Sequence, residues 1–350
     1  DLSHWFYHRN RLPWDLSRSF DEPEHALIDF HKKVGAGFYI PNLASFFSVR
    51  HRPDVSCEVE KEVRNGTPQI TWRFRTPLGD IERARIWQEE TYSWGILEWG
   101  IKTPREIEIL GYAMSDRVFT PCWGRYRAWV DAVGDDGIVY LPLGYSGMGH
   151  LLIYWMGIEG AVYAATDWPD VVARIVDQIN ESVLALVDLV AHSPAEVVLM
   201  GDNFSGDVQP PSFFNRWSRS FYVEAIRRLH AAGKCVAVHI DGRLRGALSM
   251  IRETGADCAD AVTPKPMGDL TAAECRAEAG PDFILSGGVS PDLWLPQAPL
   301  ENFRKAVLAW LELVATSPRL IANAGDQVPP GAQEQRIHLM RDLVEKYGTY

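Results

Sequence analysis

From about residue 100 to the C-terminus, apolar residues recur in two alternating patterns. Short unbroken runs such as VVLM (197–200), VAV (236–238), FIL (283–285) and LIA (320–322) read as strands buried on both faces, because a strand covered on one side only would alternate apolar and polar positions. Between them lie longer stretches whose apolar positions fall every three to four residues. These predict helices over PDVVARIVDQINESVLALVDLVAHS, PSFFNRWSRSFYVEAIRRLHAAGK, RLRGALSMIRETG, TAAECRAEAG, LENFRKAVLAWLELVATS and QEQRIHLMRDLVEKYG. TPREIEILGYAM is a further helix, with Thr103 as cap and Pro104 at its first position. IEGAVYAATDW is a short one, and DGIVYLPLG and CADAVTP are further strands.

Residues 57–99 follow another rule. EVEKEVRNGTPQITWRFRTPLGDIERARIWQ carries alternating runs around Asn65-Gly66 and a second turn at Pro77-Leu78-Gly79, a β-hairpin signature. We read it as an antiparallel insertion in a single domain spanning 1–350. Residues 1–35, aromatic and arginine-rich with little periodicity, read as an N-terminal arm or lid.

Strands alternating with helices over this length predict a parallel sheet. With GFYIPN near residue 37 there are about seven or eight strands, so a closed (β/α)8 TIM-type barrel is the first expectation. A doubly wound open sheet is second, weakened because no strand is followed by a GxGxxG or GxxxxGK[ST] loop.

Composition narrows the function classes. The net charge of −11, with no basic stripe, argues against nucleic acid. No apolar run reaches the roughly 18–20 residues needed to span a bilayer, and no charged-then-apolar leader is seen. The five cysteines form no CxxC pair, and an odd count without a leader points to reduced thiols in a cytoplasmic protein. Cys235 and Cys258 read as small core residues. The 13 tryptophans are expected in core or pocket walls.

In a barrel the site lies at the C-terminal ends of the strands. Those ends carry Asn42, Tyr145, Asp202-Asn203, His239 with Asp241, Thr263, Ser286-Gly287-Gly288, and Asn323 with Asp326. Strand alternation puts His239 and Asp241 on one side. Asp202 and Asn203 stay open between function and a turn or helix cap. Gly287-Gly288 stays open between close backbone approach to a ligand and a tight turn.

The succession LMGDN, LHAAGK, VAVHIDG, IRETGADCADAVTP, FILSGGVSP and NAGDQVPPGAQEQRI resembles the uroporphyrinogen decarboxylase superfamily. TPLGDI (76–81) and IEGAVYAATDWPDVVARI (158–175) are similar to it too, so the likeness runs from about residue 57. It implies a (β/α)8 barrel. The arginine-rich MRQAGRY-like loop of true uroporphyrinogen decarboxylases is absent, although Arg9 and Arg11 lie near the N-terminus. The chain is more similar to the branch of methyltransferases that move methyl groups to or from a corrinoid or a thiol. In that branch a His-x-Cys at a strand end and a later Cys before Pro-Pro bind zinc. Here the matching positions are His239, Asp241 and Asp326, so both thiolates have become carboxylates. That ligand set is harder yet still suits zinc or another divalent ion acting as a Lewis acid.

The resemblance therefore implies a methyltransferase that demethylates a small methylated compound, such as a methoxyaromatic. The acceptor would be a corrinoid, free or on a partner protein, and the protein a monomer or homodimer. His239, Asp241 and Asp326 would hold the metal. Asp202, Asn203 and His239 would orient the substrate or protonate the leaving group, with Tyr145, Trp123, Trp155 and Asn323 lining its pocket. The alternatives are a decarboxylase of a carboxylated pyrrole or aromatic, with Arg9, Arg11 and Arg125 as candidate grips, and a metal-free ligand-binding barrel.

Overall fold

The computed structural model describes residues 1–12, 22–41 and 45–348, apart from the side chain of Asn203; Asn42 lies outside the described residues. Twelve strands run through it: β1 (Phe47–Arg50), β2 (Ser56–Arg64), β3 (Thr67–Thr76), β4 (Gly79–Gln88), β5 (Ser93–Glu98), β6 (Val118–Pro121), β7 (Leu141–Gly144), β8 (Val197–Phe204), β9 (Cys235–Ile240), β10 (Cys258–Val262), β11 (Ile284–Gly288) and β12 (Leu320–Asn323). The last six form one parallel sheet in chain order, the α/β class expected from the alternation. A seventh segment joins beside β7, where Phe38 bridges Gly137 in parallel and Tyr140 donates to the Tyr39 carbonyl at 2.8 Å.

The sheet is that of the expected (β/α)8 TIM-type barrel, but strand pairing does not close it. Among the described residues no strand pairs with the free edge of β12, and the ring stays open between β12 and the Phe38–Ile40 segment. A cavity of about 390 Å³, with Tyr39, Ser286 and Asn323 on its lining, occupies that seam.

Local chemistry accounts for most elements. Asn65 (φ 52°) and Gly66 (φ 82°) supply the two left-handed residues of the β2–β3 hairpin turn. The insertion is a four-stranded antiparallel sheet, because the chain turns once more to add β5. Helix Pro104–Met114 opens with a full Thr103/Glu106 capping box, and Thr271/Glu274 repeat the device for Ala272–Ala279. Helix Pro169–Ala191 buries Val172, Ile175, Val176, Ile179, Val183, Leu186, Val187 and Val190, the stripe its period requires.

Two helices are shorter than their patterns. The 211–234 stretch breaks at Ser218 into Pro211–Trp217 and Arg219–Ala231, and the Ser218 hydroxyl donates to Gln209 Oε1 at 2.6 Å. The 243–255 stretch is helical only over Ala247–Arg252, because Gly246 sits at φ 77°. Helix Ser3–Arg9 is anchored rather than loose. Trp5, Phe6 and Tyr7 on helix Ser3–Arg9 are buried, and Trp5 Nε1 donates to the Ala332 carbonyl. No helix among the described residues is long and apolar enough to cross a membrane.

Candidate active site

Inside the parallel sheet, Tyr140, Leu199, Ala237 and Cys258 pack as an apolar layer. Alternation brings the next inward residues of β9, β10 and β11 one layer higher: His239, Asp260 and Ser286. They are linked side to side. His239 Nδ1 lies 3.2 Å from Asp260 Oδ2, Ser286 Oγ donates to Asp260 Oδ1 at 3.3 Å, and Asn323 Nδ2 donates to Ser286 Oγ at 3.4 Å. Tyr39 bonds to the Asn323 side chain at the far end of this row. Asn323 Oδ1 also accepts from the Asp1 nitrogen at 3.1 Å, so its polar groups are engaged within the fold.

His239 is where the charges converge. Burial is the largest single influence on its ring and lowers its pKa. The hydrogen bond to Asp260 and the charges of Asp326, Asp260 and Asp241 outweigh burial together and lift the pKa to about 9. The Asp241 carboxyl is raised from its ordinary value by burial and by Asp326, against the pull of His239. Thus His239, Asp241 and Asp326, though 87 positions apart between first and last, act on one another at one end of the sheet. Gly201 pairs with His239 in the β8–β9 register, and a β-carbon there would lie 3.3 Å from that of His239, so the glycine keeps space open beside the ring.

This centre does not amount to a ready metal site. Among the described residues no three His, Cys, Asp or Glu side chains are gathered closely enough to hold a metal ion. The donor types suit a hard divalent ion, but their arrangement does not fit one.

Asp260 escaped the sequence reading. It sits in CADAV, which reads only as a short buried strand, yet it is 1% exposed and central to the row. The available signal was its spacing: Asp260 shares the inward parity of Cys258, level with His239 in the register. The next residue, Ala261, holds φ at +66°, a left-handed conformation that costs an L-residue roughly 1–2 kcal/mol.

Asp202 is placed differently. Its carboxylate is buried and accepts from Ser146 N (2.8 Å) and Ser146 Oγ (2.6 Å), with a further bond from Tyr222. Burial raises its pKa against those donors. Both oxygens are spent on fixing the turn after β7, which carries Tyr145. The Tyr145 ring packs 4.7 Å from Tyr154 and 6.3 Å from His150 on a π-helical turn, His150–Trp155. Trp155 stacks on Phe74 at 5.5 Å and ties the antiparallel sheet to the barrel. Trp123 opens helix Trp123–Val133 and packs half-buried against the main core. The side chain of Asn203 lies outside what the structure describes. Thr263 is buried and donates to the Ala261 carbonyl.

The Gly287-Gly288 pair is settled by packing. A β-carbon on Gly287 would meet the Val262 carbonyl oxygen at 2.2 Å, and one on Gly288 would meet Trp310 at 2.6 Å. Close approach is required there, to neighbouring parts of the chain itself.

With this geometry in hand, comparison with known proteins is informative. Comparison by sequence with curated proteins gives no match. Among solved structures, a methyltransferase from Methanosarcina mazei superposes with a TM-score of 0.52 at 17% identity, over 65% of this chain and 64% of that one. At that identity the likeness is one of fold. The sequence profile described as uroporphyrinogen decarboxylase (URO-D) matches residues 149–347, more than half of the chain, and takes in every strand from β8 to β12. The chain belongs to the uroporphyrinogen decarboxylase family.

Proposed function

We propose that the protein is a methyltransferase that removes a methyl group from a small, neutral methylated compound, such as a methoxyaromatic, and passes it to a corrinoid, free or carried by a partner protein. The observation that supports this most is the His239 centre. One imidazolium bonded to Asp260 and influenced by Asp241 and Asp326 leaves an excess of negative charge at the strand ends. Such a field repels a substrate carboxylate and tolerates an uncharged ether.

When bound, the corrinoid supplies the nucleophile that takes the methyl group. The chain's own residues manage the oxygen left behind. The C–O bond breaks with its electron pair on oxygen, and the His239 imidazolium donates a proton to that oxygen from Nε2. Asp260 holds the ring by Nδ1, and Asp241 and Asp326 keep it protonated at neutral pH. Asp202 acts as a positioning residue through Ser146, setting the turn that carries Tyr145. The resemblance also implied zinc; since the described donors are not gathered for a metal, this reading runs through the His239 proton.

Two of the three arginines considered as grips for a carboxylated substrate, Arg9 and Arg11, are already paired, which does not favour decarboxylation. Arg9 is paired with Glu334 at 2.7 Å and Arg11 with Glu89 at 3.4 Å. Incubation of the full chain with methoxyarenes and cob(I)alamin, with and without added zinc, tests the proposal. Methylcobalamin is the expected product. Its absence across a broad donor panel overturns the reading. Carbon dioxide release from uroporphyrinogen or an aromatic acid would put a decarboxylase in its place, and binding without turnover a ligand-binding barrel.

A further inference from the structure

A second, chemically distinct cavity lies where the antiparallel sheet meets the barrel. It holds about 170 Å³, roughly the space of five or six waters, and its lining includes His51, Trp72, Arg83, Arg117, His150 and Trp155. Three nitrogens there are buried without a hydrogen-bond partner among the described residues: Arg83 Nε, Arg117 Nη2 and His150 Nδ1. Arg117 is oriented only by neutral groups, its Nε donating to the Met114 carbonyl (3.0 Å) and Ser182 Oγ (2.9 Å). Arg83 lies flat against aromatic rings, 4.1 Å from the centroid of Trp72, 4.8 Å from Tyr154 and 5.4 Å from Trp155. Among the described residues no Asp or Glu lines the cavity.

This absence of a counter-charge does not come from a shortage of acids. The chain has 46 acidic side chains against 35 basic ones. Arg73 and Arg75, on the same sheet, are each paired with glutamates. Burial pushes Arg83 and Arg117 down to about 10, and burial together with the two arginines pushes His150 well below its ordinary value. Two buried guanidinium groups beside a neutral imidazole are costly when nothing answers their charge. They make a good receptor for one small group with several acceptor oxygens, because planar donor forks match carboxylate and phosphate geometry.

We infer that this cavity is a binding site for a small oxyanion, a carboxylate or a phosphate group, held by Arg83, Arg117 and His150. It uses none of the residues of the His239 centre, so it stands independently of the methyl-transfer proposal. Trp72 on the lining, stacked against Arg83, provides a reporter.

The test is thermal unfolding and tryptophan fluorescence of the full chain, titrated separately with sodium benzoate, sodium phosphate and sodium chloride at matched ionic strength. A saturable rise in midpoint with benzoate or phosphate, but not chloride, is expected. Whichever gives the larger shift identifies the carboxylate or the phosphate as the physiological chemistry. Arg83→Met and Arg117→Met should each abolish the response while keeping the ligand-free midpoint at or above that of the parent, because each removes an unanswered buried charge. Arg83→Lys, which keeps the charge but loses the planar fork, should weaken binding at least tenfold, and it carries the comparison should a methionine variant fail to fold. A parent protein with no saturable response to either anion, or arginine variants that respond as the parent does, would overturn the inference.

Discussion

His239 and Asp260 face each other across the parallel pairing of β9 and β10, with Nδ1 of the imidazole 3.2 Å from Oδ2 of the carboxylate. The contact holds the ring through Nδ1, and Nε2 is the nitrogen that the proposed reaction uses. Asp260→Asn should bring the imidazole pKa down from about 9, because the strongest of the groups that raise it is then neutral. A proton-detected titration of the His239 ring would read this, and a parent imidazole titrating at or below 6.5 would refute the account. His239→Gln should slow turnover about 10²–10⁴-fold, the usual worth of a positioned acid.

The same shift has a stability consequence with a definite sign. A histidine raised in the folded state contributes stability that is complete below its unfolded pKa, and that stability fades as pH rises through the folded value. For His239 the window runs from about 6.5 to about 9. Urea midpoints should decline across that range in the parent and less so in His239→Gln.

His31 works in the opposite direction. It is 3% exposed, and burial lowers its pKa to about 4. The unfolded chain therefore binds a proton first, and acidification from about 6.5 to 4 should destabilise the protein, by roughly 2–3 kcal/mol from this group alone. His31→Gln should flatten that part of the acid limb. An unchanged acid limb would show that other groups govern it.

Asp202 should matter more to folding than to chemistry. Asp202→Ala leaves the buried Ser146 N–H and hydroxyl without their acceptor, which costs about 3 kcal/mol. Calorimetry should show the loss of midpoint. A variant with full stability and no activity would instead assign Asp202 to the reaction.

Gly288→Ala is expected to destabilise by at least about 2–3 kcal/mol, since φ is +131° and the new carbon would meet Trp310 at 2.6 Å. Parent-like unfolding would mean that Trp310 can retreat.

Much of this architecture is legible in the amino-acid order, and the exceptions have physical causes. The buried runs before His239 and Ser286 mark true strands, since only a sheet covered on both faces supports such unbroken apolar stretches. The 211–234 pattern conceals its break because periodicity survives Ser218, whose hydroxyl turns instead to Gln209. Asp260 is hidden because inward parity becomes meaningful only once its level beside His239 is known. The Arg83–Arg117–His150 cluster cannot be read from spacing at all. It joins a strand of the insertion, the residue preceding β6 and a π-helical turn, and only folding the antiparallel sheet onto the barrel brings them together.

The row from His239 through Asp260 and Ser286 also constrains how the strands can align. Side chains on a strand alternate between faces, so a slip of β10 by one position would drive the Asp260 carboxylate outward among the helices and turn Ala259 and Ala261 inward. His239 and Ser286 would then both lose their partner in a single step. Misaligned sheets are thus penalised by the same buried polar row that the proposed reaction uses, so the proposed chemistry and the alignment of the strands would be preserved together.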